Sequence, residues 1–243
     1  MPEISNTLVE KARSVGPLGD EREIATITRP ATSADEKAAL VWLGGYRSDM
    51  SGTKAIEMDL LAAEHGLQAI RFDYSGHGIS GGEFRLGTIS RWTEEALAVI
   101  SASAAKRVIL IGSSMGGWIA LRVIQEARRL GLSFNVAGLV LIAPAPDFTH
   151  DLIEPGLTDK ERASLQEKGY FEEPSEYSSE PNRFTLALIE DGRSNRVLDG
   201  LIETGCPVHI LQGMQDPDVP YRHALKIMEK IAADDAILTL IRD

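Results

Sequence analysis

An α/β architecture, with a mostly parallel sheet and helices on both faces, is what this 243-residue sequence predicts. Three observations point there. Apolar runs of strand length alternate with stretches of helical period, the rhythm of βαβ units. Several of those runs read as buried strands that end in glycine or turn residues. At 43% apolar residues, the chain is globular and of a length that suits one α/β domain.

Residues 1–20 read as an N-terminal tail. "EREIATITRP" (21–30) alternates like a half-buried early strand. "AALVWLGG" (38–45) and "LQAIRFDYS" (67–75) read as buried strands, and between them "TKAIEMDLLAAEHG" (53–66) has helical spacing and a glycine stop. A helix over "RWTEEALAVISASA" (91–104) leads into the strand "RVILIGS" (107–113). The helix "GWIALRVIQEARRLG" (117–131) and the strand "VAGLVLIAPAP" (136–146) follow. Residues 147–200 break the rhythm: they are polar and proline-punctuated, with two or three short helical patches, and read as a small helical cap inserted over one end of the sheet. The core resumes with the strand "CPVHILQG" (206–213), the helix "YRHALKIMEKIAA" (221–233) and the strand "AILTLIRD" (236–243). The core is therefore expected in residues 21–146 and 201–243.

Charge and composition remove several classes of function. Twenty-five basic against 36 acidic residues leave a net charge of −11, which repels polyanions and argues against nucleic acid as a partner. No segment has the run of about 18 apolar residues that spans a membrane. The opening residues "MPEISNTLVEKARS" resemble neither a secretory signal nor an Arg-rich transit peptide. One cysteine, Cys206, cannot form an internal disulfide, so a reducing, cytoplasmic setting is expected. No His, Cys or carboxylate cluster has metal-ligand spacing, and no metal or cofactor is expected.

The chemistry concentrates in "RVILIGSSMGGWIALRVIQEA" (107–127). Gly112-x-Ser114-x-Gly116 sits where a strand gives way to a helix, the context of a nucleophile elbow. A tight turn there holds Ser114 in a strained conformation with its hydroxyl projecting from the sheet edge, and only small neighbours let the helix approach so closely. It also points the Met115 amide and the positive helix end at the place where an acyl oxyanion forms. The partners follow in the order Ser, then acid, then His. Asp216 lies just after a strand in "CPVHILQGMQDPDVP", with Asp218 as its rival. "WLGGYRSDM" (42–50) suits a second oxyanion donor, the Tyr46 amide, because Gly44 and Gly45 free the backbone.

"LVWLGGYRSDMSGTKA", "IRFDYSGHGISGG", "LIGSSMGGWIAL" and "ILQGMQDPDVP" together resemble the α/β-hydrolase superfamily. Their wording is closest to the group containing the mitochondrial acyl-glucuronide esterase and palmitoyl-protein thioesterase and its bacterial relatives. The resemblance covers roughly residues 38–243. It implies a serine esterase or thioesterase of the α/β-hydrolase fold that works through an acyl-enzyme intermediate without a cofactor. Residue by residue, it makes Ser114 the nucleophile, Asp216 the triad acid, and Met115 and Tyr46 the backbone oxyanion donors.

The histidine departs from this pattern. Relatives place it in a loop after the last strand, before a closing helix, whereas this sequence stops at Asp243 on that strand. The triad histidine and last helix are therefore expected beyond residue 243, in a chain truncated here. His65 and His77 precede Ser114, His150 opens the cap, His209 lies in an apolar strand, and only His223 follows Asp216, as a weak candidate within the chain.

Other readings stay open. A truncated or non-catalytic relative that binds a small acyl ligand or a partner is the alternative function. "GHGISG" (76–81) matches the dinucleotide fingerprint in letters, but the residues after it make a poor helix. Leu152, Leu157, Leu165, Phe171, Leu186 and Leu188 either wall an acyl pocket or form the cap's own core, and Arg47 is placed to meet a substrate carboxylate.

Overall fold

The computed structural model describes residues 8–32, 37–174 and 181–242, so residues 1–7 of the expected tail, 175–180 of the expected cap and Asp243 lie outside the description. The chain runs through β1 (Val9–Val15), β2 (Arg22–Arg29), β3 (Ala39–Leu43), α1 (Thr53–His65) and β4 (Ala69–Phe72). It continues through α2 (Ile89–Ala102), β5 (Arg107–Ser113), α3 (Met115–Leu130) and β6 (Asn135–Ile142). The segment expected to form the cap contributes α4 (Asp159–Lys168), β7 (Tyr170–Glu173), β8 (Asn182–Thr185) and α5 (Leu186–Ser194), and β9 (Val208–Gly213), α6 (Tyr221–Lys230) and β10 (Ala236–Ile241) follow.

Among the described residues, eight strands form one sheet in the order β1-β2-β4-β3-β5-β6-β9-β10. Pairing is parallel from β4 to β10 and antiparallel on the β1–β2–β4 side. The expected tail is corrected here, since Val9–Val15 pairs in register with β2 as an edge strand. Its exposed Glu10, Lys11 and Arg13 hid it from a reading based on apolar runs, yet such charges suit an edge that must not recruit another chain.

β3 is buried throughout because layers cover both its faces. On one side α1 packs Met58 and Ala62 against Leu40 and Trp42. On the other, Trp92 and Ile100 of α2, Trp118 and Ile119 of α3, and Ala224 and Ile227 of α6 join the main core. The α1 side is less covered toward β10, where Ile237 is 57% and Ile241 49% exposed.

The cap is held by local chemistry and by packing. Thr158 and Glu161 cap α4 reciprocally, the Thr158 hydroxyl accepting from the Glu161 amide while the Glu161 carboxylate accepts from the Thr158 amide at 2.8 Å. Leu165, Phe171 and Leu188 are buried in the main core, and Leu152, Leu157 and Leu186 pack against it. Leu165, Phe171 and Leu188 therefore serve as core.

Candidate active site

Ser114 joins β5 to α3 with φ 52° and ψ −119°, a conformation that costs a non-glycine residue about 1–3 kcal/mol. Neighbours enforce it. The Ser114 amide donates to the Ile142 carbonyl at 2.9 Å, and its own carbonyl accepts from Gly117 at 2.9 Å and Ala145 at 3.0 Å. A Cβ on Gly116 would stand 2.0 Å from the Leu43 carbonyl oxygen, and one on Gly112 would stand 2.4 Å from the Gly116 oxygen. Only hydrogen at these positions lets α3 reach the sheet edge. Ser114 is half-buried there, where the order of the parallel strands reverses between β3 and β5, the crevice at which open α/β sheets bind ligands.

The loop after β3 lies against the elbow. A Cβ on Gly45 would touch the Ser114 Cβ at 3.4 Å and the Ser113 carbonyl at 3.3 Å. Residues 45–48 form a tight turn in which the Ser48 amide (3.2 Å) and hydroxyl (3.0 Å) both donate to the Gly45 carbonyl. Among the described residues, neither the Met115 nor the Tyr46 amide donates to a protein acceptor, so both are available for a developing oxyanion. The Tyr46 ring carries the turn into the cap: it stacks on Phe184 at 5.2 Å and donates its hydroxyl to the Arg183 carbonyl.

Asp216 stands in the loop after β9, two strands from β5 and so about 10 Å along the same edge by strand spacing. Its Oδ1 accepts from the amides of Asp218 (3.0 Å) and Val219 (2.8 Å), which leaves Oδ2 available to an imidazole. Asp218 is exposed. Buried Gln212 braces the loop by donating to the carbonyls of Gly213 at 3.0 Å and Val219 at 2.9 Å. Sequence reading missed Gln212 because a polar residue at the end of a strand carries no pattern of its own.

None of the five histidines is hydrogen-bonded to Ser114 or Asp216 among the described residues. His223 is buried on α6, where its Nε2 meets the Pro146 carbonyl at 2.8 Å and desolvation holds its pKa below the usual range. His209 meets Thr239 at 2.9 Å on the sheet face, and His150 pairs with Asp151 in the cap. His77 is 3% exposed and accepts the Arg47 amide at 3.2 Å. Sequence reading located His77 in its turn but missed this contact, which spans 30 residues.

A cleft of about 720 Å³ opens among Arg47, His77, Phe84, Arg85, Glu172 and Arg183. Neither Ser114 nor Asp216 lines it. The Arg47 guanidinium crosses the Phe84 ring at 5.5 Å and donates to the Pro181 carbonyl. The "GHGISG" turn leads into a single 3₁₀ turn at Phe84–Leu86, and α2 begins only at Ile89. It therefore lacks the helix N-terminus that a dinucleotide fingerprint needs. Among the described residues, no group of three or more His, Cys, Asp or Glu is arranged to hold a metal ion, and no helix is long and apolar enough to cross a membrane.

Comparison with known proteins agrees with the fold. The alpha/beta hydrolase family matches residues 40–240. The mitochondrial palmitoyl-protein thioesterase ABHD10 of Mus musculus is 32% identical over 204 residues, which cover 83% of this chain and 66% of that protein. The Homo sapiens counterpart is 29% identical over 202 residues, covering 83% and 64%. The chain thus spans just under two thirds of the length of these curated relatives. Among solved structures, that of a proposed hydrolase from Agrobacterium vitis S4 superposes with a TM-score of 0.95 at 64% identity, covering 98% of this chain and 91% of that one. Mouse alpha/beta hydrolase domain-containing protein 10 superposes with a TM-score of 0.80 at 27% identity, covering 98% and 89%.

Proposed function

The chain belongs to the alpha/beta hydrolase family, and on that premise we propose that it is a serine hydrolase of carboxylic esters or thioesters. The observation that carries the reading is the strained Ser114 at the start of α3, beside two amides with no other task. Ser114 Oγ attacks the acyl carbonyl while a histidine takes its proton, and the amides of Met115 and Tyr46 receive the oxyanion. The tetrahedral intermediate collapses to a Ser114 ester as the leaving alkoxide or thiolate takes the proton back. Water then repeats the sequence and frees the acid. Asp216 orients the histidine and stabilises its cation.

The histidine is proposed to come from chain following β10. The register supports this: Ile241 pairs with Gly213, and the Met214 amide donates to the Ile241 carbonyl at 2.8 Å, so β10 ends beside the Asp216 loop. Acyl thioesters are the first substrates to test, since the curated relatives are named as palmitoyl-protein thioesterases. The single buried thiol, Cys206, fits a reducing compartment such as the cytoplasm.

The engagement of His223 with Pro146 favours one alternative, an acyl-ligand-binding relative without turnover. The test measures hydrolysis of short p-nitrophenyl esters and acyl thioesters by a chain extended past Asp243, with and without Ser114→Ala. Turnover that the substitution abolishes supports the hydrolase. Turnover that survives it rules out the assigned nucleophile, and ligand binding without turnover supports the alternative.

A further inference from the structure

The loop after β3, which lies against the elbow, is tied to the loop after β4 by an imidazole with no place in the triad. His77 Nε2 accepts the Arg47 amide at 3.2 Å, and His77 Nδ1 lies 3.1 Å from the Ser75 carbonyl. A single neutral tautomer, protonated at Nδ1, satisfies both contacts. The ring is boxed by Tyr74, Phe84 and Trp92 with centroids 5.7, 5.0 and 5.2 Å away, so it has no room to turn. Its anchor is rigid as well. The Ser75 amide donates to Glu95 of α2 at 2.9 Å, Glu95 accepts from Arg22 of β2 at 2.9 Å, and the Trp92 indole donates to the Ser75 carbonyl at 3.3 Å.

At the other end of the tie, the backbone needs holding. Arg47 has φ 59°, a left-handed conformation that a side-chain-bearing residue adopts at a cost. It directly follows Tyr46, whose amide is the second oxyanion donor in the reading above. Asp73 braces the same loop further on, accepting from the amides of Met50 (2.6 Å) and Ile79 (2.9 Å).

We infer that His77 is a positioning residue: by accepting the Arg47 amide as a neutral imidazole rooted on α2, it fixes the strained turn that aims the Tyr46 amide at the oxyanion. This rests on the hydrolase reading. An oxyanion donor contributes when it is already aimed before charge develops, and removing one costs on the order of 10²–10³ in rate. Losing only the aim costs less, roughly tenfold or more.

The experiment compares His77→Leu, which fills the box without an acceptor, with His77→Gln, whose amide oxygen restores one. A fluorophosphonate is the probe, because its phosphoryl oxygen enters the oxyanion hole as Ser114 is modified. The protein used is the chain extended past Asp243. The expected result is a labelling rate constant at least tenfold lower in the leucine variant, with the saturation constant within twofold and faster hydrogen exchange at residues 45–48. The glutamine variant recovers most of the rate. Wild-type rates in both variants, or a glutamine variant as slow as the leucine one, overturn the inference. Should the leucine variant not fold, ¹⁵N shifts of the wild-type imidazole decide: an Nδ1–H tautomer is expected, and an Nε2–H tautomer overturns the assignment. A wild-type protein unlabelled at Ser114 instead defeats the hydrolase reading itself.

Discussion

At single residues, the account turns on atoms that have nowhere to go. Gly116→Ala would press a methyl onto the Leu43 carbonyl oxygen, backbone that cannot swing aside, so a loss of at least about 1–3 kcal/mol in urea unfolding is expected together with loss of Ser114 labelling. Gly156→Ala is the matched control, because nothing lies within 4 Å of the added carbon, and it should leave the urea midpoint in place. Asp216→Asn keeps an oxygen for the Asp218 and Val219 amides but cannot hold a histidine in the required tautomer as a carboxylate does. The kcat for ester hydrolysis by the extended chain should fall on the order of 10³–10⁴-fold. His77 adds a pH dependence. Burial lowers its pKa from 6.5 to about 4, so between those values the unfolded chain binds a proton that the native state refuses. Its contribution is intact above pH 6.5 and declines as the pH falls to about 4, by about 3 kcal/mol if the shift is fully expressed. The difference in melting temperature between wild type and His77→Gln should change in that window and be flat above it.

Elements were legible wherever a local pattern fixes them. The apolar run of β5 and the helical spacing of α3 sit where the sequence reading places them, although α3 begins at Met115, reaching into the elbow. Boundaries set by distant partners were not legible. The helix expected to run to residue 233 ends at Lys230, because Ile231 leaves to bridge Ile202, with hydrogen bonds of 2.7 Å and 3.1 Å on either side. The hairpin of β7 and β8 was hidden in a polar segment expected to be helical. That hairpin also carries a prediction. Phe184 is 7% exposed and stacks on Tyr46, so Phe184→Ala should cost about 3–5 kcal/mol and raise hydrogen exchange across β8 and α5. Unchanged exchange there would mean that the cap does not rest on the Tyr46 turn.

In the whole molecule, parallel strands deliver separate loops to one edge: Gly45 and Tyr46 after β3, Ser114 after β5 and Asp216 after β9. Each of these was readable alone, because a glycine turn or a post-strand carboxylate is a local signal. The supports were not, because the Arg47–His77 and Gln212–Val219 contacts exist only once the chain is folded. The most direct measurement is a crystal structure of the extended chain after reaction with a fluorophosphonate. Phosphorus bonded to Ser114 Oγ, with its free oxygen about 3 Å from the amide nitrogens of both Met115 and Tyr46, is the predicted result. An adduct on another residue, or that oxygen turned away from both amides, would contradict it.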